Sequence, residues 1–235
     1  MTTHIIGAGG VASYFLSPFL RTLKHIRKPL RLRNHAVIIH DGDQLEERNL
    51  ERQNFDVEDA EDALFKAIAL AGDCGWYENI KVNPNYIDSS FSANDRDTII
   101  VMADNHMARK HALEAADRAA GVTVLSAANS TIGAEAWWYD AGGMKDTRLD
   151  PRVKWPVILT DDTGSPVHAE GCNSEVHLNE VPQTPIANFM AAAHLLLLWN
   201  FVFIEKPKLD VSLTRPFWPV SFSNTATTTE TTRHE

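Results

Sequence analysis

Three short polar stretches hold the side chains with chemistry to offer. The first is Gly7-Ala8-Gly9-Gly10, between the apolar run Thr2–Ile6 and a segment with helical spacing of apolar residues, Ala12–Leu23. Glycines let a backbone turn sharply and approach a phosphate, and the helix that follows offers free N–H groups and the positive end of its dipole. Ala12 stands where a dinucleotide fingerprint carries its third glycine. Alone the loop fits NAD, FAD or ATP, and it also fits a tight strand–helix turn that binds nothing. The second stretch, Asp41 to Gln53, packs an acidic pair, an Asn, an Arg and a Gln into 13 positions after another apolar run. The third is Asp104-Asn105, after the run Thr98–Met102. Polar residues at strand ends are where doubly wound sheets bind ligands.

The elements that must position these residues alternate. Thr2–Ile6, Ala36–His40, Thr98–Met102 and Val122–Ser126 read as strands. Ala12–Leu23, Val57–Leu70 and the alanine-rich Asn105–Ala120 read as helices. Such alternation implies an α/β fold, Rossmann-like, with a mostly parallel sheet flanked by helices. Further on, Ala134–Tyr139 and Trp155–Thr160 read as strands that extend the sheet antiparallel or form a small second one. Pro185–Ile204 reads as a long apolar helix, and Val211–Phe222 as two short strands. Residues 1–222 form one expected domain, and the Thr/Ser-rich end, 223–235, is expected to be disordered.

Composition narrows the classes. A chain of 235 residues with 44% hydrophobic content can bury one sizeable core. A net charge of −9 argues against a global basic footprint for nucleic acid. The two cysteines, Cys74 and Cys172, cannot build a disulfide framework. The first residues read directly as a strand, without the basic region of a signal peptide. The longest apolar stretch, Phe189–Ile204, is interrupted by His194 and Asn200 and falls short of the roughly 20 residues of a membrane span. A soluble, cytoplasmic protein is the expectation.

The segment Asp41-Gly42-Asp43-Gln44-Leu45-Glu46-Glu47-Arg48-Asn49-Leu50-Glu51-Arg52-Gln53 resembles the pattern D-x-D-x-[VIL]-x-x-x-N-L-x-R-Q of the ThiF/MoeB/HesA adenylation family, relatives of the ubiquitin-activating enzymes. Lys66, fourteen residues after Arg52, resembles that family's phosphate-binding lysine. Asp104-Asn105 with Arg109 resembles its D-N-x-x-x-R. Ser126–Ala136 resembles its next strand–turn–strand, and Pro182-Gln183-Thr184-Pro185 its later crossover. The resemblance spans about residues 4–205. Ordered motifs at near-family spacing weigh more together than any one. The lengthened segment after the first helix and the small size further resemble the ThiF-like proteins of the plasmid-associated PRTRC cassette.

The resemblance implies ATP-dependent adenylation of the C-terminal carboxylate of a ubiquitin-like, β-grasp protein or a peptide. It implies that Gly7, Gly9 and Gly10 meet the nucleotide and that Asp41 accepts from the ribose hydroxyls. Asn49, Arg52 and Lys66 would contact phosphates, with Asp43, Gln53 and Asn105 also in the nucleotide site. Asp104 would hold Mg²⁺, a hard cation that prefers oxygen ligands. Arg52, Lys66 and Asp104 are thus the candidate catalytic residues. Asp104 also reads as the N-cap of the helix behind it. A homodimer is implied by the same family habit.

The pattern breaks in places. No CxxC pair exists, so the four-cysteine zinc site of many relatives is not expected. His168, Cys172 and His177 cluster at no usual metal spacing. Cys172 lies where relatives with a catalytic cysteine carry it, so it is a candidate to accept the activated carboxyl as a thioester, or else an inert thiol. Cys74 reads as packing. Relatives supply an arginine to the neighbouring subunit from before the first strand, where only Met1–His4 stand here. The basic stretch with Arg21, Lys24, Arg27, Lys28, Arg31 and Arg33 is a solvated loop, a docking patch for an acidic partner or a substitute source of that arginine. Two other classes compete. One is a non-catalytic nucleotide- or partner-binding scaffold. The other is an NAD-dependent oxidoreductase, against which stands the first acidic residue after the loop at a strand end, Asp41, 31 positions beyond Gly10 rather than about 20.

Overall fold

The structure is a computed structural model that describes residues 1–26, 35–129, 134–141, 150–162 and 184–205. Its strands are β1 (Thr2–Ile6), β2 (Ala36–His40), β3 (Ile80–Asn83), β4 (Thr98–Val101), β5 (Thr123–Asn129) and β6 (Ala134–Asp140). Its helices are α1 (Gly10–Ile26), α2 (Val57–Glu61), α3 (Lys66–Gly72), α4 (His106–Asp117), α5 (Pro151–Lys154), α6 (Val157–Thr160) and α7 (Pro185–Asn200). The six strands form one sheet in the order β3-β2-β1-β4-β5-β6. Neighbours run parallel except β6, which pairs antiparallel with β5 from Thr123↔Asp140 to Asn129↔Ala134. This is the α/β, Rossmann-like architecture expected, antiparallel addition included.

Period-2 alternation within buried strands sends successive apolar residues to opposite faces. Ile5, Val37, Ile39, Ile100 and Leu125 join a core with Phe15, Phe19 and Leu20 of α1, Leu70 of α3, and Ala191 and Leu195 of α7. Ile6, Ile99, Val101 and Val124 join a second core with Ala112, Leu113 and Ala116 of α4 and Ile158 of α6. The run Pro185–Phe203 has the length and apolarity of a membrane span. In the fold its residues Ala187, Ala191, Ala192, Leu195, Leu198 and Trp199 are buried, with α7 packed on α1, β5 and β6.

Three local expectations are corrected, and one strand was missed. Val57–Leu70 is two helices, because Ala63 adopts a left-handed φ of 49° and the chain then pairs with the polar loop after β2. There Leu45 N–H donates to the Leu64 carbonyl at 2.7 Å, and Gln44 bridges to Phe65. Trp155–Thr160 is not a strand: Pro156 starts the single turn α6, which buries Ile158 alone. β3, four residues at the sheet edge, went unread. Asn105, not Asp104, caps α4, its Oδ1 accepting the Ala108 N–H at 2.8 Å. The proposed strands in 211–222, the tail and Pro182-Gln183 lie outside the described residues.

Candidate active site

β1 and β4 are sheet neighbours whose following helices leave on opposite faces, which opens a crevice at their C-terminal ends. Gly7 directly follows β1 there with φ +90°, and a Cβ on it would lie 2.6 Å from the Ala103 backbone nitrogen. Only glycine permits that approach. Its N–H donates to the His40 carbonyl at 3.0 Å, which ties the loop to β2 as well. A Cβ on Gly9 would meet nothing within 4 Å, so the loop faces open space. A cavity of about 440 Å³ occupies that space. Gly7, Gly9, Gly10, Asp41, Asp43, Arg52, Gln53, Lys66, Asp104 and Asn105 all line it.

Asp41 directly follows β2 and is buried. Its Oδ2 accepts the Ala8 N–H at 2.6 Å and its Oδ1 the Asp43 N–H at 2.7 Å, so one carboxylate braces both polar loops. Burial pushes its carboxyl above the usual range, against the pull of those two amides. Each carboxylate oxygen keeps a second lone pair for a ligand. The 31-position gap from Gly10 is spanned by the 17-residue α1 and the segment before β2, and Asp41 still reaches the end of the strand beside β1. Sequence distance therefore does not separate an NAD site from an ATP site here.

Asp43 is shared. Its Oδ2 pairs with Lys66 Nζ at 2.9 Å, and its Oδ1 accepts the Tyr86 hydroxyl. Burial opposes its ionisation, but the Tyr86 and Lys66 contacts outweigh it and hold the carboxyl below the usual range. Lys66 opens α3, and its N–H donates to the Asp43 carbonyl at 2.9 Å. Arg52 lines the cavity and, among the described residues, its guanidinium has no hydrogen-bond or ion-pair partner. Gln53 is buried with Oε1 unpartnered among the described residues. Asp104 lies exposed beyond the end of β4.

Asn49 sits beneath the loop, outside the cavity lining. Its side chain accepts the Glu46 N–H at 3.0 Å and its carbonyl accepts from Arg52 and Gln53 N–H, so its observed role is to shape the turn. Cys172 lies outside the described residues, as do His168 and His177. Cys74 is buried in the first core, and burial pushes its thiol up to about 11.

Several lining residues were not foreseen from the sequence. Asn188 of α7 is buried, donating to the Arg52 carbonyl at 2.8 Å and accepting from Asn129 Nδ2 at 3.0 Å. A Cβ on Gly10 would lie 2.6 Å from Asn188 Cγ, so this glycine makes room for the amide. An amide inside an otherwise apolar helix run was the available signal. Tyr86 follows β3 and went unread with it. Ile87, Met102 and Met107 add apolar surface to the cavity lining. Arg109 is buried just outside, donating to the Ala103 carbonyl at 3.1 Å, and so holds the turn that presents Asp104.

A doubly wound sheet with a glycine loop, two cations and carboxylates around one crevice defines a class of small-ligand-binding α/β proteins. Solved structures give the particulars of the fold. E. coli MccB, solved with succinimide, aligns at a TM-score of 0.52 and 16% identity, over 86% of this chain and 55% of that one. MccB with ATP gives a TM-score of 0.52 at 16% identity, over 85% and 55%. PaaA gives 0.55 at 15% identity, over 86% and 63%. The chain thus spans little more than half of the length of MccB. No protein-family model matches, and no curated protein matches.

Proposed function

We propose that this chain is an ATP-dependent adenylating enzyme acting on the C-terminal carboxylate of a ubiquitin-like protein or a peptide. The observation that carries it is the meeting of Arg52 and Lys66, 14 residues apart, with the glycine loop and Asp104 on one cavity of about 440 Å³. That volume suits a nucleotide-sized ligand. Supporting the reading, a structural neighbour was solved with ATP, and others with MccA or N-formylated MccA.

Adenylation joins a carboxylate oxygen to the α-phosphorus of ATP and expels pyrophosphate. The acceptor carboxylate is already ionised at neutral pH, so little demand falls on a general base. Charge grows on phosphate oxygens, and positioned cations do most of the work. The Arg52 guanidinium suits bidentate phosphate contact, and Lys66 supplies a point charge. Loop N–H groups at the start of α1 face the same anion. Asp104 would hold Mg²⁺. One exposed carboxylate fits, because Mg²⁺ keeps several waters and takes its other ligands from phosphates. Cys172 as acceptor of the activated carboxyl and a homodimeric assembly belong to the same reading.

Calorimetry tests the ligand. Magnesium-dependent ATP binding with no tight NAD binding is expected. Tight NAD binding without ATP binding would overturn the reading in favour of a nicotinamide site, with Asp41 at the end of β2 on the ribose. ATP binding without ATP–pyrophosphate exchange across candidate carboxylate acceptors would favour a scaffold.

A further inference from the structure

Tyr86 is 66% exposed, yet it is held at both ends. Its ring lies over Gly42, where a Cβ would come 2.9 Å from the ring edge, and its hydroxyl donates to Asp43 Oδ1. The other oxygen of that carboxylate holds Lys66 Nζ at 2.9 Å. The Asp43 main chain is fixed on both sides, its N–H on Asp41 Oδ1 at 2.7 Å and its carbonyl accepting the Lys66 N–H at 2.9 Å. What freedom Asp43 keeps is rotation of its side chain, which is 47% exposed. A carboxylate that exposed, with no second anchor, trades its cation for water at almost no cost. The Tyr86 hydroxyl is the second anchor. Lys66 has 11% side-chain exposure, so its stem is packed and its ammonium follows its partner.

We propose that Tyr86 is a positioning residue for Lys66, acting through Asp43 to hold the ammonium at the cavity wall where a nucleotide phosphate meets it. This rests on the ATP reading above and adds its control element. Holding the cation before the ligand arrives removes an ordering cost from binding. The aromatic ring reaches Asp43 because residue 42 is glycine. A side chain there would push the ring off the loop and break the hydroxyl contact.

The test is a double-mutant cycle on Mg·ATP affinity, measured by calorimetry with the full chain. Tyr86→Phe keeps the ring over Gly42 and deletes only the hydroxyl. It should weaken ATP by about three- to tenfold, the span of one hydrogen bond's net contribution. In an Asp43→Asn background, deleting the hydroxyl should leave affinity within about twofold, because coupled neighbours are non-additive. Equal losses in both backgrounds would mean that Tyr86 touches the ligand directly, and no loss in either would mean that it positions nothing. Both results overturn the proposal while the wild type still binds ATP. Failure of the wild type itself to bind ATP overturns the functional reading, and this inference with it.

Discussion

Acid should unfold this protein through its buried histidines before its carboxylates titrate. His4, His35 and His40 are all buried on or beside β1 and β2. Asn85 Nδ2 donates to Asn83 Oδ1, so Asn83 Nδ2 faces His40 Nδ1 at 3.1 Å and that nitrogen accepts. The His40 proton then sits on Nε2 and points at His4 Nδ1, 3.1 Å away. The His4 proton is left on Nε2, facing Asp97 at 3.6 Å. Phe91 packs edge-on against both rings. A second proton on His40 would point into the Asn83 amide. Burial pushes His40 down to about 4, with His4 adding to the effect, and burial pushes His35 down to about 4 as well. The unfolded rings titrate near 6.5, so between about pH 6.5 and 4 the unfolded chain binds protons that the folded chain refuses. Stability therefore falls as pH falls through that window and is flat above it.

Each of these two rings contributes a loss of about 3 kcal/mol when the window is crossed completely, and the pair about 3 kcal/mol by pH 5. Typical domains have only about 5–15 kcal/mol of stability. Asp41, whose carboxyl burial pushes up, works in the opposite sense. The assay is urea unfolding followed by circular dichroism at several pH values, with His40→Gln run beside the wild type. The variant should show a clearly shallower slope between pH 6.5 and 5, because one of the buried rings that refuse a proton is gone while His35 and His4 remain. A wild type equally stable at pH 7 and 5, or a variant with the wild-type slope, refutes the reasoning.

Other perturbations have equally definite outcomes. Gly10→Ala should destabilise by about 2–4 kcal/mol in thermal or urea unfolding, from overpacking plus the loss of the Asn188 contacts, whereas Gly9→Ala, facing open space, should leave stability unchanged. Arg52→Ala and Asp104→Ala should each slow ATP–pyrophosphate exchange by about 10² to 10³, and exchange at the wild-type rate in Arg52→Ala defeats the assignment of the site. Cys172→Ala should leave exchange nearly intact and abolish a thiol-labile thioester adduct with the acceptor protein. An adduct that persists removes only the thioester step. Light scattering should give a dimer mass, and a mass near 26.2 kDa at micromolar concentration counts against the dimer.

The sequence by itself determined what depends on near neighbours. Strands β1, β2 and β4 were legible because short runs dominated by β-branched and apolar residues, followed by glycine or aspartate, have few other uses in a sheet covered on both faces. The glycine loop and the Asp41–Gln53 segment were legible because their order follows the chain. Tertiary structure decided what depends on distant partners. Asn188 reaches the Arg52 carbonyl across 136 positions, and although its amide stands out in an apolar helix, nothing near residue 188 names that partner. The helical pattern of Val57–Leu70 broke where Leu64 and Phe65 paired with the loop at residues 44–45, because buried backbone groups take whichever hydrogen-bond partner the fold brings to them. β3, and with it Tyr86, was invisible because four residues at a sheet edge carry too little periodicity to distinguish a strand from a loop. Asp41 marks the boundary between the two kinds of knowledge. Its identity was plain in the sequence, but its place beside the glycine loop followed only from the parallel pairing of β1 with β2, which brings the two strand ends together whatever length of chain runs between them.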